Sequence, residues 1–197
     1  MGKVENEVGT NNDIEMGKKP DFAFKLKFDV SQVEKYASEY SYERSESEVI
    51  KNSLKIRDRG YLTKSELQII GNWKTPRSKP KIASNSEHYV KEVTSIAFST
   101  KNEKLRIEIL NLLEGVSWST ASVLLHFYHI ENYPILDFRA LYSISCEHIK
   151  PQYYNFIFWL SYTEFIRNLA DKAGADMRTI DQALWQYSKK YQKPNIE

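Results

Sequence analysis

Residues 112–141 read LLEGVSWSTASVLLHFYHIENYPILDFRAL and contain the clearest structural pattern in the chain. Gly115 interrupts a helical pattern, and the segment 118–130 that follows is apolar on nearly every side, as is typical of a buried central helix. A proline-containing turn ends this segment, and Asp137 then stands at the N-cap position of another helix, over about 138–145. The sequence therefore predicts a helix, a tight hairpin, a buried helix and, after a turn, a capped helix.

Helical periodicity extends outward from this segment in both directions. The exception is 22–28, where apolar residues alternate with period two, which predicts a strand or an extended arm along a helical body. Capping residues and helix breakers divide the rest of the chain. We expect a helix from 32 capped by Ser31, one over about 45–58 ended by Gly60, one capped by Thr63 and closed by Gly71-Asn72, a loop over 74–86, and helices over about 86–98, 104–113, 152–172 and 177–191. The predicted fold class is all-α, a compact multi-helix domain that contains a helix-hairpin-helix.

The composition excludes several classes of protein. The chain has 197 residues, 41% of them apolar, which is enough for one domain with a substantial core. Cys146 is the single cysteine, so an internal disulfide framework and a four-cysteine metal site are excluded, and the free thiol favours a cytoplasmic location. No apolar run approaches the roughly 20 residues of a membrane helix. We expect residues 1–20, which are polar, to be a flexible tail on a single all-α domain over 21–197.

The pattern over residues 112–141 resembles the helix-hairpin-helix DNA glycosylase superfamily. The matching residues are Leu113, Gly115, Val116, Thr120 and Ala121 in the hairpin, and Pro134, Ile135 and Asp137 in the acidic element. Ser119-Thr-Ala with Pro-Ile-Leu-Asp downstream is most similar to the adenine-specific mismatch glycosylase and endonuclease III branch, here without the iron–sulfur cluster. The resemblance implies a DNA-binding, all-α fold and base-excision chemistry.

The hairpin and the start of the buried helix form the first predicted DNA contact. A glycine hairpin lets the backbone approach a phosphate, and a helix N-terminus offers unpaired N–H groups and the positive end of a dipole. The candidate residues are Gly115, Val116, Ser117, Trp118 and Thr120. The alternative is that Gly115 only permits a tight turn between packed helices.

Asp137 and Ser119 are the candidate catalytic residues. An Asp just before a helix is most often an N-cap, which contributes about 1 kcal/mol. The resemblance implies a second role, in which Asp137 faces a flipped nucleotide and stabilises its oxocarbenium-like sugar or activates water. Bifunctional members of the superfamily carry a lysine where this chain has Ser119, so the resemblance implies a monofunctional enzyme without a lyase step. Arg139 can contact phosphate beside Asp137 or pair with it.

The segment 73–81 is the second predicted DNA contact. It contains four cations, an aromatic ring and no acid, in a chain whose net charge is only +2. Cations beside an aromatic ring suit phosphate contact combined with base stacking. The candidate residues are Trp73, Lys74, Arg77, Lys79 and Lys81. The alternative is a solvated basic loop.

Together these motifs predict a DNA-binding protein that resembles a monofunctional base-excision DNA glycosylase. The expected partner is duplex DNA with a damaged or mismatched base, and we expect no cofactor, metal or membrane. His126 and His129 lie three residues apart on the buried helix, where core positions are favoured over a metal site. Two alternatives stay open: a non-catalytic helix-hairpin-helix module that binds DNA or a protein partner, and a helical structural protein.

Overall fold

The computed structural model describes residues 22–42 and 46–193, and within these ranges the chain is helical and contains no strand. The described part has eleven α-helices: α1 Val33–Ser38, α2 Ser47–Lys51, α3 Ser53–Arg59, α4 Lys64–Lys74, α5 Lys79–Ser84, α6 Glu87–Ser99, α7 Glu103–Leu110, α8 Trp118–Tyr128, α9 Phe138–Ser143, α10 Phe156–Ala173 and α11 Met177–Tyr191. Short 3-10 helices lie at Val30–Gln32, Pro76–Ser78 and Pro151–Tyr153. The all-α prediction is confirmed. The predicted tail, residues 1–20, lies outside the described residues.

Helix α8 is the centre of the core. Every residue from Thr120 to Tyr128 is buried, as the apolar pattern predicted. Helices α3, α4 and α7 pack against it. The largest fully buried side chains come from the surrounding elements and are Trp159, Tyr133, Tyr162 and Phe158. None of the helices in the described ranges combines the length and the apolar character that a membrane crossing requires.

Several helix ends coincide with capping residues that are visible in the sequence. The Thr63 hydroxyl accepts from the N–H of Glu66, whose carboxylate accepts from the N–H of Thr63, so a complete capping box begins α4. Ser86 begins α6, with its hydroxyl accepting from the N–H of Tyr89. Gly60 ends α3 in the left-handed conformation. The predictions at Thr63 and Gly60 are confirmed because each depends on residues within a single turn.

Residues 22–28 form an extended arm and not a strand. Lys25 donates its N–H to the carbonyl of Ile144, just after α9, at 3.0 Å. The aromatic side chains of the arm pack on the last two helices, and the ring centroids of Phe28 and Tyr187 are 4.7 Å apart. The apolar side chains of the arm are thus covered by helices α10 and α11 and not by a second strand.

Two predicted features near the N-terminus are wrong. Asp29, not Ser31, caps the first helical turn, and its side chain forms a capping box with Gln32. The tract predicted as one helix over 45–58 contains two helices, α2 and α3, which meet at Asn52. Leu54, just after this break, is 73% exposed.

The predicted loop over 74–86 is wrong as well, because most of it is helical. Helix α4 continues past Gly71-Asn72, and a 3-10 turn and α5 follow. Pro76 and Pro80 each lie in the first turn of a helix, where the missing N–H of proline has no helical partner to lose. Gly71 lies inside α4, and a Cβ at this position would collide with Cδ1 of Ile82 in α5, so the close packing of the two helices favours glycine here.

Candidate functional site

The hairpin between α7 and α8 is shaped by its contacts with α5. Gly115 has φ +80°, in the left-handed region that favours glycine. A side chain would also collide with α5, since a Cβ at this position would lie 3.0 Å from the backbone N of Ile82. Asn85, at the end of α5, accepts from the N–H of Glu114 at 2.9 Å and donates to its carbonyl at 3.0 Å. Helix packing therefore explains this glycine, as the tight-turn alternative predicts.

The N-terminus of α8 lies beside a pocket. Ser117 is the N-cap residue, but its side chain makes no capping hydrogen bond and leaves the first-turn N–H groups uncapped. Ser117, Ser119 and Thr120 line the pocket. Val116 is buried and Trp118 packs against the core. Of the predicted hairpin contacts, Ser117 and Thr120 thus reach the pocket, together with the candidate catalytic residue Ser119, whereas Val116 and Trp118 serve packing.

Asp137 is held by two sets of contacts. Its Oδ1 accepts from the N–H groups of Arg139 and Ala140, both at 2.9 Å, so the predicted N-cap of α9 is confirmed. Its Oδ2 accepts from Nζ of Lys74 at 2.9 Å, and both side chains are 14% exposed. Burial alone would raise the pKa of Asp137, but the Lys74 charge and the backbone N–H groups outweigh it and hold this pKa below its ordinary value. Asp137 is therefore ionised at neutral pH.

Two hydrogen bonds fix the backbone that leads into Asp137. Ser122 of α8 accepts from the N–H of Leu136 at 2.9 Å. Tyr162 of α10 donates its hydroxyl to the carbonyl of Ile135 at 2.7 Å. The carboxylate is thus positioned by side chains of α8 and α10.

A pocket of about 490 Å³ brings these elements together. This volume lies within the roughly 300–1,000 Å³ that is typical of small-molecule sites. Four of the lining residues are cationic and one is acidic: Lys74, Arg77, Arg139, Lys189 and Asp137. Because Asp137 balances only one of these positive charges, the pocket attracts anions.

The basic segment 73–81 divides between this pocket and other surroundings. Lys74 and Arg77 line the pocket, on the side where the α8 N-terminus also lies. Lys79 lines a separate hollow beside α4, and Lys81 is exposed. Trp73 is 7% exposed and packs edge-on against Phe127, so its ring belongs to the core and not to a base-stacking surface.

Trp185 and Lys189 of α11 complete the pocket, and sequence reasoning did not find them as site residues. The guanidinium of Arg139 lies 4.9 Å from the ring centre of Trp185, and Nζ of Lys189 lies 5.2 Å from it. Arg139 thus stacks on an aromatic ring, while Lys74 takes the place beside Asp137 that was considered for Arg139. A spacing of four residues does place Trp185 and Lys189 on one helix face, but it does not indicate what that face adjoins.

A second acid, Asp181, lies behind the pocket. It shares a small recess with Lys74 and Asp137. Its carboxylate pairs with Arg178, which also binds Glu46. Burial, together with the charge of Asp137, raises the pKa of Asp181 to about 7 against the opposing effect of Arg178. The two neighbouring carboxyl groups therefore titrate in different pH ranges.

The two histidines considered for a metal site are core residues. His126 Nδ1 lies 2.7 Å from the carbonyl oxygen of Tyr133, and burial lowers the pKa of His126 to about 3. His129 is buried too. Among the described residues, no group of three or more His, Cys, Asp or Glu side chains is placed to hold a metal ion.

No family model, no curated protein and no solved structure matches the chain. The fold and the site define an all-α protein with a cationic pocket around one ionised aspartate. A functional assignment thus depends on the chemistry of that pocket.

Proposed function

We propose that the protein binds duplex DNA at this pocket and acts as a helix-hairpin-helix base-excision DNA glycosylase. The observation that carries the proposal is the convergence of three elements on one pocket: the α8 N-terminus, the cations Lys74 and Arg77, and Asp137. The basic segment was selected for its charge, independently of the resemblance that selected the hairpin and Asp137.

The chemistry of the pocket suits a flipped nucleotide. Its cations supply the contacts that a phosphate backbone needs, and uncapped N–H groups at a helix N-terminus add to them. Trp185 adds an aromatic ring to the pocket wall, and the cations Arg139 and Lys189 lie over this ring. The duplex would thus be held by its backbone while one nucleotide enters the pocket.

Asp137 is suited to cleavage of the N-glycosidic bond. The transition state carries positive charge on the sugar, and an ionised carboxylate in a partly dry site stabilises that charge. The low pKa of Asp137 keeps it ionised at neutral pH. The Ser119 hydroxyl lies in the same pocket, where it can bind the attacking water or the sugar.

The ion pair between Lys74 and Asp137 favours a second candidate function. A carboxylate that already has a partner at 2.9 Å is electrically balanced before any substrate binds. In this alternative the protein is a non-catalytic module that uses the same cationic pocket to bind DNA or an acidic partner protein.

We place either function in the cytoplasm, because Cys146, the one cysteine of the chain, is a buried free thiol.

DNA binding is tested with a fluorescent duplex that contains a tetrahydrofuran abasic-site analogue, beside an undamaged duplex. We expect tighter binding to the analogue and a steep loss of affinity with salt. Arg77→Gln should lower the slope of log K against log salt by about 1. Lys101→Gln, an exposed lysine outside the pocket, is the matched control and should leave the pocket-specific preference unchanged. Absence of binding by the wild type at low salt would reject both DNA-based functions.

Catalysis is tested by base release from a panel of duplexes with damaged or mismatched bases. Asp137→Asn keeps an oxygen for the cap of α9 but removes the charge. We expect the rate of base release to fall about 10²–10³-fold with DNA binding retained. Tight binding without base release from any duplex by the wild type would favour the non-catalytic module.

A further inference from the structure

A second pocket adjoins the one around Asp137. Its volume is about 580 Å³, and it lies between α9, the 3-10 turn Pro151–Tyr153 and the end of α11. Phe138, Pro151 and Tyr154 line both pockets, so the two are neighbouring parts of one groove. The proposed function places a flipped nucleotide in the first pocket only. The groove therefore extends beyond the space that this nucleotide needs.

Positive charge continues from the first pocket into the second. Lys150 and Lys193 line the second pocket, and both are exposed. Glu147, its acidic lining residue, lies 2.6 Å from Nζ of Lys27, which balances its charge. The acid of the first pocket has a lysine partner as well. The remaining cations of the groove thus attract an anion that is long enough to reach both pockets.

Two exposed aromatic rings lie beside these lysines. Phe138 begins α9 and is 60% exposed, and Tyr191 ends α11 and is 47% exposed. Both rings line the second pocket. Proteins that bind single-stranded nucleic acid combine cations along the backbone with aromatic side chains on which the bases stack. The second pocket contains both parts of this combination.

Unpaired bases suit these rings better than a duplex does. In a duplex each base is stacked between its neighbours, so its flat faces are not available to a ring of the protein. A duplex would contact the lysines through its phosphates and leave Phe138 and Tyr191 without a partner. Charge alone favours the duplex, because a duplex carries its phosphates more densely than a single strand does. A preference for the single strand would therefore report stacking.

We propose that the second pocket binds the unpaired nucleotides next to the one at Asp137, which makes single-stranded DNA the preferred substrate. The inference rests on the proposed function, because the first pocket must hold one nucleotide of the same strand. It differs in the substrate, since a duplex with one flipped base fills the first pocket only, whereas an unpaired stretch fills both.

The test is fluorescence anisotropy with the full-length protein and three labelled DNAs. The first is an oligothymidylate long enough to reach both pockets, and the second is the same strand paired with its complement. The third is a strand of tetrahydrofuran units, which has the phosphates without the bases. We expect the oligothymidylate to bind at least about fivefold more tightly than either of the others, as the stacking of one base predicts.

Removal of two lysines tests the second pocket by itself. Lys150→Gln combined with Lys193→Gln should lower the slope of log K against log salt for the oligothymidylate by about 1.4, which is about 0.7 for each phosphate contact. Lys101→Gln combined with Lys104→Gln removes the same charge from exposed positions outside both pockets and should leave this slope unchanged.

Removal of the ring at position 138 tests stacking. Phe138→Ala should raise the Kd for the oligothymidylate about 5–150-fold and leave the Kd for the base-free strand unchanged. A structural defect would weaken binding to both strands. Ile130→Ala truncates a side chain that is 83% exposed and lies outside both pockets, and it should change neither Kd.

The outcomes separate this inference from the proposed function. If the wild type binds the tetrahydrofuran duplex but binds the oligothymidylate no more tightly than its duplex or the base-free strand, the inference is overturned and the proposed function stands. The same holds if the variant without Lys150 and Lys193 keeps the wild-type salt slope. If the wild type prefers the oligothymidylate but does not distinguish the tetrahydrofuran duplex from the undamaged one, lesion recognition fails and the single-strand site stands. If it binds no DNA at low salt, both fail.

Discussion

Replacement of Gly115 by alanine tests whether packing against α5 requires this glycine. Two penalties apply to the variant. The left-handed backbone, φ +80°, costs a residue with a side chain about 1–2 kcal/mol. The new Cβ would also lie 2.8 Å from Cγ1 and 3.0 Å from the backbone N of Ile82. Overpacking of this kind costs about 1–3 kcal/mol more, so we expect the free energy of unfolding to fall by about 2–5 kcal/mol in total.

Gly60 provides the matched control. It has φ +77°, and a Cβ there would meet no atom within 4 Å. Gly60→Ala therefore incurs only the backbone penalty, about 1–2 kcal/mol. The difference between the two variants isolates the contact between the hairpin and α5.

Thermal unfolding measures both variants under the same conditions. In a protein of this size 1 kcal/mol corresponds to about 2–4 °C in Tm, so Gly115→Ala should melt at least that much below Gly60→Ala. Equal Tm values would contradict this explanation, because the collision with Ile82 would then contribute nothing. In that case the close approach of α5 would not be what excludes a side chain at position 115.

Two further predictions concern the core around the site. Ser122→Ala leaves the buried N–H of Leu136 without its acceptor, and urea unfolding should show a loss of about 1–3 kcal/mol. Ser99→Ala, which removes only an exposed hydroxyl, should stay within about 0.5 kcal/mol of the wild type, and an equal effect of the two would contradict the role of Ser122. Burial lowers the pKa of His126 in the folded protein from 6.5 to about 3. Between these two pH values the unfolded chain therefore binds more protons than the folded protein. The free energy of unfolding should fall as the pH drops through this window. His126→Asn should flatten the dependence of unfolding free energy on pH by up to about 1.4 kcal/mol per pH unit, and an unchanged slope would show that another group causes it.

Sequence reasoning was accurate where the deciding residues are close together. The capping box of Thr63 and Glu66, the cap at Asp137 and the buried face of α8 depend on residues one or two turns apart. Sequence-based prediction was wrong where a residue distant in the sequence packs against the segment. Gly71 was expected to end α4, yet it lies inside the helix at a place where Ile82 of α5 packs against it. Trp73 was expected at a surface, yet its ring faces Phe127 in the core.

The same limit applies to the candidate site. Asp137, Ser119 and the basic segment were all selected from the sequence, and the structure places Asp137 and Ser119 in one pocket with Lys74 and Arg77. Lys74 was selected as a phosphate contact, but its nearest charged partner is Asp137. Nothing in the sequence indicated that α11 would bring Trp185 and Lys189 into the same pocket as the hairpin.

The helical fold class, the central helix, its glycine hairpin and the aspartate that caps the following helix could all be predicted from the sequence. Periodicity and capping act over a few residues, so they can be recognised in one dimension. The ion pair between Lys74 and Asp137, which are 63 residues apart, became visible only in the folded chain. The same is true of the aromatic ring and the cation that α11 adds beside them. Contacts of this kind arise when helices pack around a common core, and no local pattern specifies which side chains then become neighbours.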